Sequence, residues 1–405
     1  MKKRFFISNA IDEEKLPFIS KEEMKFGRAH YSWKIVADLY DKGLTAANIE
    51  TSRVIRPEIY QTKISQMTLG LRHDDVHLAI KPIEHLRTFN GIKNIFIGGW
   101  EFPEFSTTPY ENNPLFNQIE ILKHADQIWC WSNFTTINLK SYGIHTAITM
   151  PPPVIIKKTT DDKNISYLNT LALNTYKTPE TSDVKHLGEF LSQYQNSTIF
   201  FSIFNPYDYR KQSPLMMESF VLALEKNPDM VLVVKLVIDN INTTLGTIQH
   251  IFRDILKYNG KCEKIIFIGD ILTDNQITSL MKISKYYFCT SSTEGLNLPL
   301  IEAMSNGIVP VVSCATAMAD YVNQENSITI DTDRIETSGT YHFLHKQLTT
   351  THFVPNLQST VSALIKASKL PDDAYKRLSE NAKQEVHKKY SLDSFVKNFN
   401  SLEFK

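Results

Sequence analysis

The chain has 405 residues, 42% of them apolar, and its 44 basic side chains balance 44 acidic ones. This content suffices for two or three packed domains and is too apolar for a disordered chain. The zero net charge gives no overall field that would favour nucleic acid as a partner. No apolar run reaches the roughly 18 residues of a membrane span, and none near the basic start is long enough for a signal peptide. We therefore expect a cytoplasmic protein, with peripheral contact at the inner face of a membrane left open.

The first half of the sequence contains separate helical and strand-like segments. HYSWKIVADLYDKG, from residue 30, and NPLFNQIEILKHA, from residue 113, predict helices, whereas NIFIGGW, from residue 94, and QIWCWS, from residue 127, predict strands. The stretch from about residue 155 to 195 is polar, and it predicts a connection between two domains.

The second half alternates regularly between strands and helices. The predicted strands are STIFFSIF, MVLVVKLVI, KIIFIGD, YYFCTSS and IVPVVS. The predicted helices are SPLMMESFVLALEKNP with Ser213 as N-cap and Pro214 at its first position, TLGTIQHIFRDILKY, TDNQITSLMKIS capped by Thr273 or Asp274, and a short helix from about Pro299 to Asn306. This alternation predicts βαβ units and a parallel sheet. The tail DSFVKNFNSLEF predicts an amphipathic helix with Phe395, Phe399 and Leu402 on one stripe.

Two glutamates flank the start of the short helix in SSTEGLNLPLIEAMSNGIVPVVS. Ligands of parallel α/β sheets bind beyond the strand ends, where a helix N-terminus offers N–H groups to phosphate. Glu302 could there accept hydrogen bonds from a ribose diol, and Glu294 could bind hydroxyls or a developing positive charge. The alternative is that Glu302 favours the helix dipole and Glu294 is a solvated loop residue.

The stretch EGLNLPLIEAMSNGIVPVV resembles the E-x7-E signature of retaining GT-B glycosyltransferases of the family 4 type, the glycosyl transferases group 1. The resemblance implies that Glu294 contacts the donor sugar and Glu302 the ribose of the nucleotide. It also implies that the backbone N–H groups of Gly295, Leu296, Asn297 and Leu298 meet the phosphates or the sugar. Asn297 stands where the family usually has glycine, so its side chain would narrow the sugar pocket.

Two further stretches carry resemblances: the first supports the match above, and the second is weaker. FNPYDYRKQSPLMMESFVLALEKNP is similar to the family segment whose cations bind the leaving diphosphate, which implies that role for Lys211 and then Arg210. IFIGGWEFPEF resembles polysaccharide-building members, and would place Trp100 and Glu101 at a strand end facing the cleft. The family's N-terminal histidine has no clear counterpart, since His73, His77 and His85 each suit a structural role.

The resemblance implies a GT-B fold of the α/β class, with two Rossmann-like domains facing a central cleft. We expect an acceptor-side domain over residues 1–190 and a nucleotide-sugar-binding domain over residues 191–388. The final helix, residues 389–405, would cross back to the first domain.

The implied activity is a metal-independent, retaining transfer of a hexose-type unit from a nucleotide-diphosphate sugar to a glycan or lipid-linked acceptor, in bacterial surface polysaccharide assembly. No cofactor is expected. The four cysteines lack CxxC spacing, and the DTD at Asp331–Asp333 is a pattern common by chance, so we expect no metal site. The alternatives are a non-catalytic GT-B subunit that partners another transferase, and a GT-B sugar phosphorylase or epimerase.

Overall fold

The structure is a computed structural model. It describes residues 3–9, 29–54, 56–60, 62–107, 117–154, 165–169, 171, 174–175, 186–194, 196–238, 246, 264–338 and 348–402. All but one residue of the predicted helix TLGTIQHIFRDILKY lie outside these ranges.

The first domain is built on a parallel sheet whose strands run in the order β2-β1-β3-β4-β5-β6. The strands are β1 (Arg4–Asn9), β2 (Glu50–Arg53), β3 (Val76–Ile80), β4 (Lys93–Gly98), β5 (Gln127–Cys130) and β6 (Ala147–Thr149). The helices described here are α1 (Ala29–Ala46), α2 (Lys63–Thr68), α3 (Gln118–Lys123) and α4 (Asn133–Ser141). The central strands are buried along their length, as expected of a sheet covered on both faces.

The second domain has a seven-stranded sheet in the order β13-β12-β11-β8-β9-β10-β7. Its strands are β7 (Asn174–Thr175), β8 (Thr198–Phe204), β9 (Met230–Leu236), β10 (Ile265–Ile268), β11 (Tyr286–Cys289), β12 (Val309–Ser313) and β13 (Ile328–Ile330). All of them pair in parallel except the edge strand β7, which runs antiparallel to β10. The strands predicted in the second half of the sequence are therefore found, and they form one parallel sheet.

Helices cover both faces of this second sheet, and a hairpin is added at its end. The helices are α5 (Leu187–Ser192), α6 (Ser213–Leu224), α7 (Asp274–Ile283), α8 (Leu298–Ser305), α9 (Leu357–Ser368) and α10 (Asp372–Tyr390). The hairpin consists of β14 (Thr332–Ser338) and β15 (Thr349–Pro355), which pair antiparallel.

The starts of α1, α6, α7, α8 and the last helix, Leu392–Asn400, agree with the predicted ones to within a residue, whereas α3, predicted from residue 113, begins at Gln118 after the N-cap Asn117. Thr273 caps α7, and its side chain accepts a hydrogen bond from the Gln276 backbone N–H. The prediction of Ser213 as an N-cap is wrong. Gln212 occupies that position with φ of 51°. This left-handed residue ends the short 3-10 helix Tyr209–Lys211, so α6 begins at the next residue, Ser213.

The chain enters the second domain before the predicted boundary at residue 190. Val154, Leu168, Leu171, Leu187 and Leu191 all pack in one core of the second sheet. The described parts of the polar connection thus contribute to the second domain, because their few apolar side chains are buried there.

The last helix, α11 (Leu392–Asn400), lies on the first domain. The rings of Phe395 and Tyr40 have centroids 5.9 Å apart, and those of Phe399 and Phe5 are also 5.9 Å apart. Gly43 of α1 faces Phe395 so closely that a Cβ at this glycine would lie 2.6 Å from the ring. The stripe of phenylalanines predicted on this helix is therefore buried against the first sheet.

Candidate active site

The second sheet has a topological switch point between β8 and β11. From β8 the chain proceeds through β9 and β10 on one side, and it then returns to build β11, β12 and β13 on the other. The loops that follow β8 and β11 therefore separate in opposite directions, and they leave a crevice at the carboxyl ends of these strands. The predicted site residues of the second domain lie in these two loops and at the start of α8.

Lys211 and Glu294 form an ion pair across this crevice. Lys211 Nζ lies 2.5 Å from Glu294 Oε1, and Glu294 is only 5% exposed. Burial lowers the pKa of Lys211, but the carboxylates of Glu294 and Asp208 outweigh that effect, so its pKa lies above the usual value. Lys211 is therefore a cation in this site.

Arg210 is surrounded by acceptors. It makes two contacts with Asp208, one of 2.5 Å from Nη2 and one of 3.1 Å from Nε. Nη1 lies 3.2 Å from Glu101 Oε1 and donates to the Thr293 carbonyl oxygen at 3.4 Å. Burial raises the pKa of Asp208, yet the charges of Arg210 and Lys211 outweigh it, so the pKa lies below the usual value. Asp208 is therefore ionised and holds the guanidinium in place.

Glu101 is the contribution of the first domain to the site. It follows β4, and its carboxylate meets Arg210 across the cleft. Burial raises the pKa of Glu101, nearby Asp208 and Glu294 add to the rise, and Arg210 opposes it. Trp100, which was predicted to face the cleft, packs in the first-domain core instead, where its indole N–H donates to the Glu104 carbonyl oxygen at 2.6 Å.

Backbone contacts fix the two loops relative to each other. The Ser292 N–H donates to the Arg210 carbonyl oxygen at 2.8 Å, and the Thr290 hydroxyl donates to that of Lys211 at the same distance. The Glu294 N–H donates to the Thr316 hydroxyl at 2.9 Å. The positions of the two cations are thus set by the loop after β11, which carries the carboxylate of Glu294.

The segment from Gly295 to Leu298 leads from this carboxylate into α8. A Cβ at Gly295 would lie 3.3 Å from the Gly99 backbone, so the two domains meet closely here. Leu296 is buried in the second-domain core, and Leu298 packs against the cores of both domains. Asn297 adopts φ of 66°, a conformation that favours glycine, and its side-chain oxygen caps α8 by accepting from the Leu300 N–H at 3.3 Å.

Glu302 lies just past the first turn of α8. It is partly buried, and its charge, like that of Glu294, affects the pKa of the Tyr287 hydroxyl. Burial raises the pKa of the Tyr287 hydroxyl well above its usual value, and the charges of Glu294 and Glu302 act in the same direction. The structure thus pairs Glu101 with Arg210 and Lys211 with Glu294, and Glu302 lies further along α8.

Some residues of this site escaped the sequence analysis. Asp208, two positions before Arg210, could have been noticed as its carboxylate partner. Thr293 has a buried hydroxyl with no hydrogen-bond partner among the described residues, and nothing in the pattern marks it. Glu104 and the hairpin residues that bind near it, described below, are brought to the site by tertiary contacts alone.

A small cavity lies between the ends of β8 and β11. Its lining includes Lys211, Glu294, Asn297, Tyr287, Cys289 and Phe204. Its lining combines the Lys211–Glu294 pair with apolar and hydroxyl-bearing side chains. Within the described ranges, no group of three or more His, Cys, Asp or Glu side chains could hold a metal ion. No helix in the described part of the chain is long and apolar enough to cross a membrane.

Residues 208–385 match the family described as Glycosyl transferases group 1. A curated relative is the protein named "Putative glycosyltransferase ORF315" of Acidianus bottle-shaped virus, which is 30% identical over 131 residues. That match covers 32% of this chain and 38% of the viral protein, so the chain matches well under half the length of this relative.

Two solved structures share the architecture. The α,α-trehalose-phosphate synthase (UDP-forming) from Burkholderia vietnamiensis aligns with a TM-score of 0.57 at 13% identity, over 99% of this chain and 98% of its own. TarM of S. aureus, a variant in complex with Fondaparinux, α-GlcNAc-glycerol and UDP, aligns with a TM-score of 0.52 at 12% identity, over 82% of this chain and 56% of its own. The fold is GT-B, as predicted, with two parallel-sheet α/β domains on either side of a cleft.

Proposed function

We propose that this chain is a retaining glycosyltransferase of the family 4 type, which transfers a hexose-type unit from a nucleotide-diphosphate sugar to a glycan or lipid-linked acceptor. The match of residues 208–385 to the Glycosyl transferases group 1 supports this, because that range contains Lys211, Glu294 and Glu302. UDP is named with TarM and with the trehalose-phosphate synthase, and a uridine diphosphate donor is therefore the first to test.

The observation that carries the proposal is the pairing of Lys211 with Glu294 at the switch point. A cation and a carboxylate are held 2.5 Å apart, beside Arg210 and the N-terminus of α8. They supply the charges opposite to the two that develop on the substrates during glycosyl transfer. The leaving diphosphate becomes more negative while the sugar ring becomes positive. Preorganised groups of opposite sign would stabilise each of them without reorganisation during the reaction.

Each predicted residue has a role in this proposal. Lys211 and Arg210 bind the diphosphate, together with the backbone N–H groups of Gly295 to Leu298. Glu294 stabilises the oxocarbenium-like sugar, and Glu302 binds the ribose diol. The diphosphate accepts the proton of the acceptor hydroxyl on the same face of the sugar, so no protein nucleophile and no metal ion is required.

Glu101 joins the first domain to this arrangement. Because it contacts Arg210 from across the cleft, it lies where donor and acceptor would meet. We place the acceptor on this side, and the resemblance of IFIGGWEFPEF to polysaccharide-building enzymes favours a growing bacterial surface polysaccharide as that acceptor. Such an enzyme would work in the cytoplasm, with peripheral contact at the inner face of the membrane when the acceptor is lipid-linked.

The test is calorimetric titration of the purified protein with UDP, GDP, ADP, dTDP and CMP. We expect one nucleotide to bind in the micromolar range and at least about tenfold more weakly to Glu302→Ala, since hydrogen bonds to a charged group are worth roughly 1.5–3 kcal/mol. Glu380→Ala, which removes an exposed carboxylate from α10, is the matched control and should bind as the wild type does.

The nucleotide-sugars of the nucleotide that binds are then incubated with the protein, and the anomeric configuration of the released or transferred sugar is read by NMR. Retention would support the mechanism, and inversion would contradict it. Absence of binding by every nucleotide would contradict the proposed function and favour a non-catalytic subunit.

A further inference from the structure

The hairpin β14–β15 lies between the first domain and the loop that carries Glu294. Three consecutive residues of β15, Thr351, His352 and Phe353, make all the contacts described below. The sequence TTTHFVP carries no motif that the proposed reaction uses. Its contacts nevertheless reach residues on both sides of the cleft.

On the first-domain side, the hairpin binds Glu104. The backbone N–H of Thr351 donates to Glu104 Oε2 at 2.9 Å, and its hydroxyl donates to Oε1 at 2.6 Å. Both carboxylate oxygens of Glu104 are therefore engaged by one residue of the second domain. The ring of Phe102, in the same first-domain segment, lies 5.1 Å from the ring of His352. This segment also carries Glu101, the partner of Arg210.

On the side of the candidate active site, the hairpin binds Ser292. The Phe353 N–H donates to the Ser292 carbonyl oxygen at 3.0 Å, and His352 Nδ1 lies 3.2 Å from the Ser292 hydroxyl. Ser292 in turn holds Arg210, because its N–H and its hydroxyl both donate to the Arg210 carbonyl oxygen, at 2.8 and 3.2 Å. The hydrogen-bonded path from the hairpin to the proposed diphosphate-binding cation thus contains one intermediate residue, and the ring of His352 also lies 5.5 Å from the ring of Tyr209, which precedes Arg210.

The protons of this path can be assigned from its partners. The Ser292 hydroxyl has one proton, which goes to the Arg210 carbonyl oxygen, so His352 must donate through Nδ1–H. His352 Nε2 then accepts from the Thr350 hydroxyl, 3.0 Å away. The Thr350 hydroxyl also lies 3.4 Å from the Thr337 carbonyl oxygen, and its one proton is assigned here to the shorter contact, so that His352 is neutral with its proton on Nδ1. Burial and the nearby Arg210 lower the pKa of His352, in agreement with the neutral form.

We propose that His352 is a positioning residue: through Ser292 it fixes the turn that presents Arg210 and Lys211, and through its strand it couples that turn to Glu104 of the first domain. This inference rests on the proposed function for the role of the two cations. It requires no contact between His352 and a substrate. The hairpin would then set the geometry of the diphosphate site only when the first domain is seated against it.

Three substitutions separate the contacts of His352. His352→Asn places an amide N–H near the position of Nδ1 and keeps the donor to Ser292. His352→Gln places its amide near Nε2 and keeps only the Thr350 side. His352→Phe keeps a ring of similar size for Phe102 and Tyr209 and loses both nitrogens. Arg334→Ala is the control, because Arg334 is an exposed residue on β14 of the same hairpin.

The first readout is amide hydrogen exchange of the purified proteins without added nucleotide. We expect His352→Phe and His352→Gln to speed exchange about tenfold at the Ser292 amide and in the turn from Asp208 to Gln212. His352→Asn and Arg334→Ala should keep the wild-type rates. Nitrogen-15 NMR of the wild-type imidazole should show the neutral Nδ1–H tautomer.

The second readout is the rate at which nucleoside diphosphate is released from the nucleotide-sugar of the nucleotide identified by calorimetry. We expect kcat to fall about three- to tenfold in the Phe and Gln variants, with KM for the donor nearly unchanged, and to recover in His352→Asn. Wild-type exchange and kcat in His352→Phe would overturn the proposal, because packing alone would then be the role of the ring. Equal loss in Asn and Gln would overturn it as well. If no nucleotide binds the wild type, the proposed function fails, but the exchange rates still decide whether His352 holds the turn.

Discussion

Nζ of Lys211 lies 2.5 Å from Oε1 of Glu294, so a cation following β8 and a carboxylate following β11 neutralise each other across the switch point of the sheet. The side chains are 18% and 7% exposed, so little water reaches either charge. A buried pair of this kind contributes modestly to stability, but removing one partner leaves a costly unpaired charge. The pair therefore links the proposed reaction to the stability of the second domain.

Lys211→Ala should lower turnover by about 10², the scale of losing one preorganised charge contact in a transition state. It should also lower the free energy of unfolding by roughly 3 kcal/mol, because Glu294 is left buried without its cation. Initial rates with the identified nucleotide-sugar and urea denaturation measure the two effects.

The double variant Lys211→Ala/Glu294→Gln separates the effect on turnover from the effect on stability. Most of the lost stability should return, since no buried charge is unpaired, whereas turnover should stay low. Unchanged turnover in the single variant would contradict the assignment of Lys211.

Asn297 should tolerate glycine better than alanine. Its φ of 66° costs a residue with a Cβ about 1 kcal/mol, and its side chain caps α8. Asn297→Gly loses the cap but relieves the strain, and should change the free energy of unfolding by under about 0.5 kcal/mol. Asn297→Ala should cost about 1 kcal/mol, because it loses the cap while the strain stays as it is in the wild type. Urea denaturation of both variants measures this, and equal losses would argue against the left-handed conformation.

His77 should make the protein less stable in mild acid. It is fully buried, Nδ1 lies 2.8 Å from Asn94 Oδ1, and Nε2 lies 2.8 Å from the Ser8 hydroxyl. Burial lowers its pKa to about 4 from the usual 6.5. Between these values the unfolded chain binds a proton that the folded chain does not, so stability is present above pH 6.5 and is lost as the pH falls.

The expected loss from this group between pH 7 and pH 5 is about 2 kcal/mol. Denaturation curves at both pH values, for the wild type and for His77→Gln, isolate it because the other titrating groups are shared. From pH 7 to pH 5 the free energy of unfolding of the wild type should fall by about 2 kcal/mol more than that of His77→Gln. A constant difference would show that folding does not lower the pKa of His77.

Gly43→Ala should destabilise the protein although it improves helix propensity. In most helices this change stabilises by about 0.5–1 kcal/mol. Here the new methyl group would lie 2.6 Å from the ring of Phe395, so α11 would have to shift. We expect a loss of about 1–3 kcal/mol from this overpacking. Thermal denaturation measures the loss, and Gly43→Ala/Phe395→Leu should recover part of it by making room. A raised Tm in the single variant would contradict the packing of α11 on α1.

Much of the second domain could be predicted because its strands are short, apolar and separated by helices with clear caps. The same regularity identified the switch region, since carboxyl ends of parallel strands share one edge of the sheet. To predict that Lys211 and Glu294 lie close together, it is enough to know that they share this edge of the sheet and that the sequence resembles the family. Knowledge of the first domain is not needed for this prediction.

The remaining features depend on contacts that no local pattern encodes. The strands of the hairpin are rich in threonine and charged residues, and β14 is largely exposed, so periodicity does not mark them. Trp100 follows a strand, as Glu101 does, but its indole is drawn into the core by Phe102 and Phe105, and only the carboxylate is left for the cleft. The role of Gly43 becomes visible only when the last helix is placed on the first.

The chain passes between the two domains twice, and the two passages touch. Met150 belongs to the first core and Val154 to the second, while Tyr390 belongs to the second and Phe395 to the first. The Val154 N–H donates to the Tyr390 carbonyl oxygen at 2.7 Å, so both covalent links run through one point. A rotation about that point stretches neither link and moves the far edge of the cleft the most. A hinge rotation between the domains would therefore pivot at Val154 and Tyr390 and would separate Glu101 from Arg210.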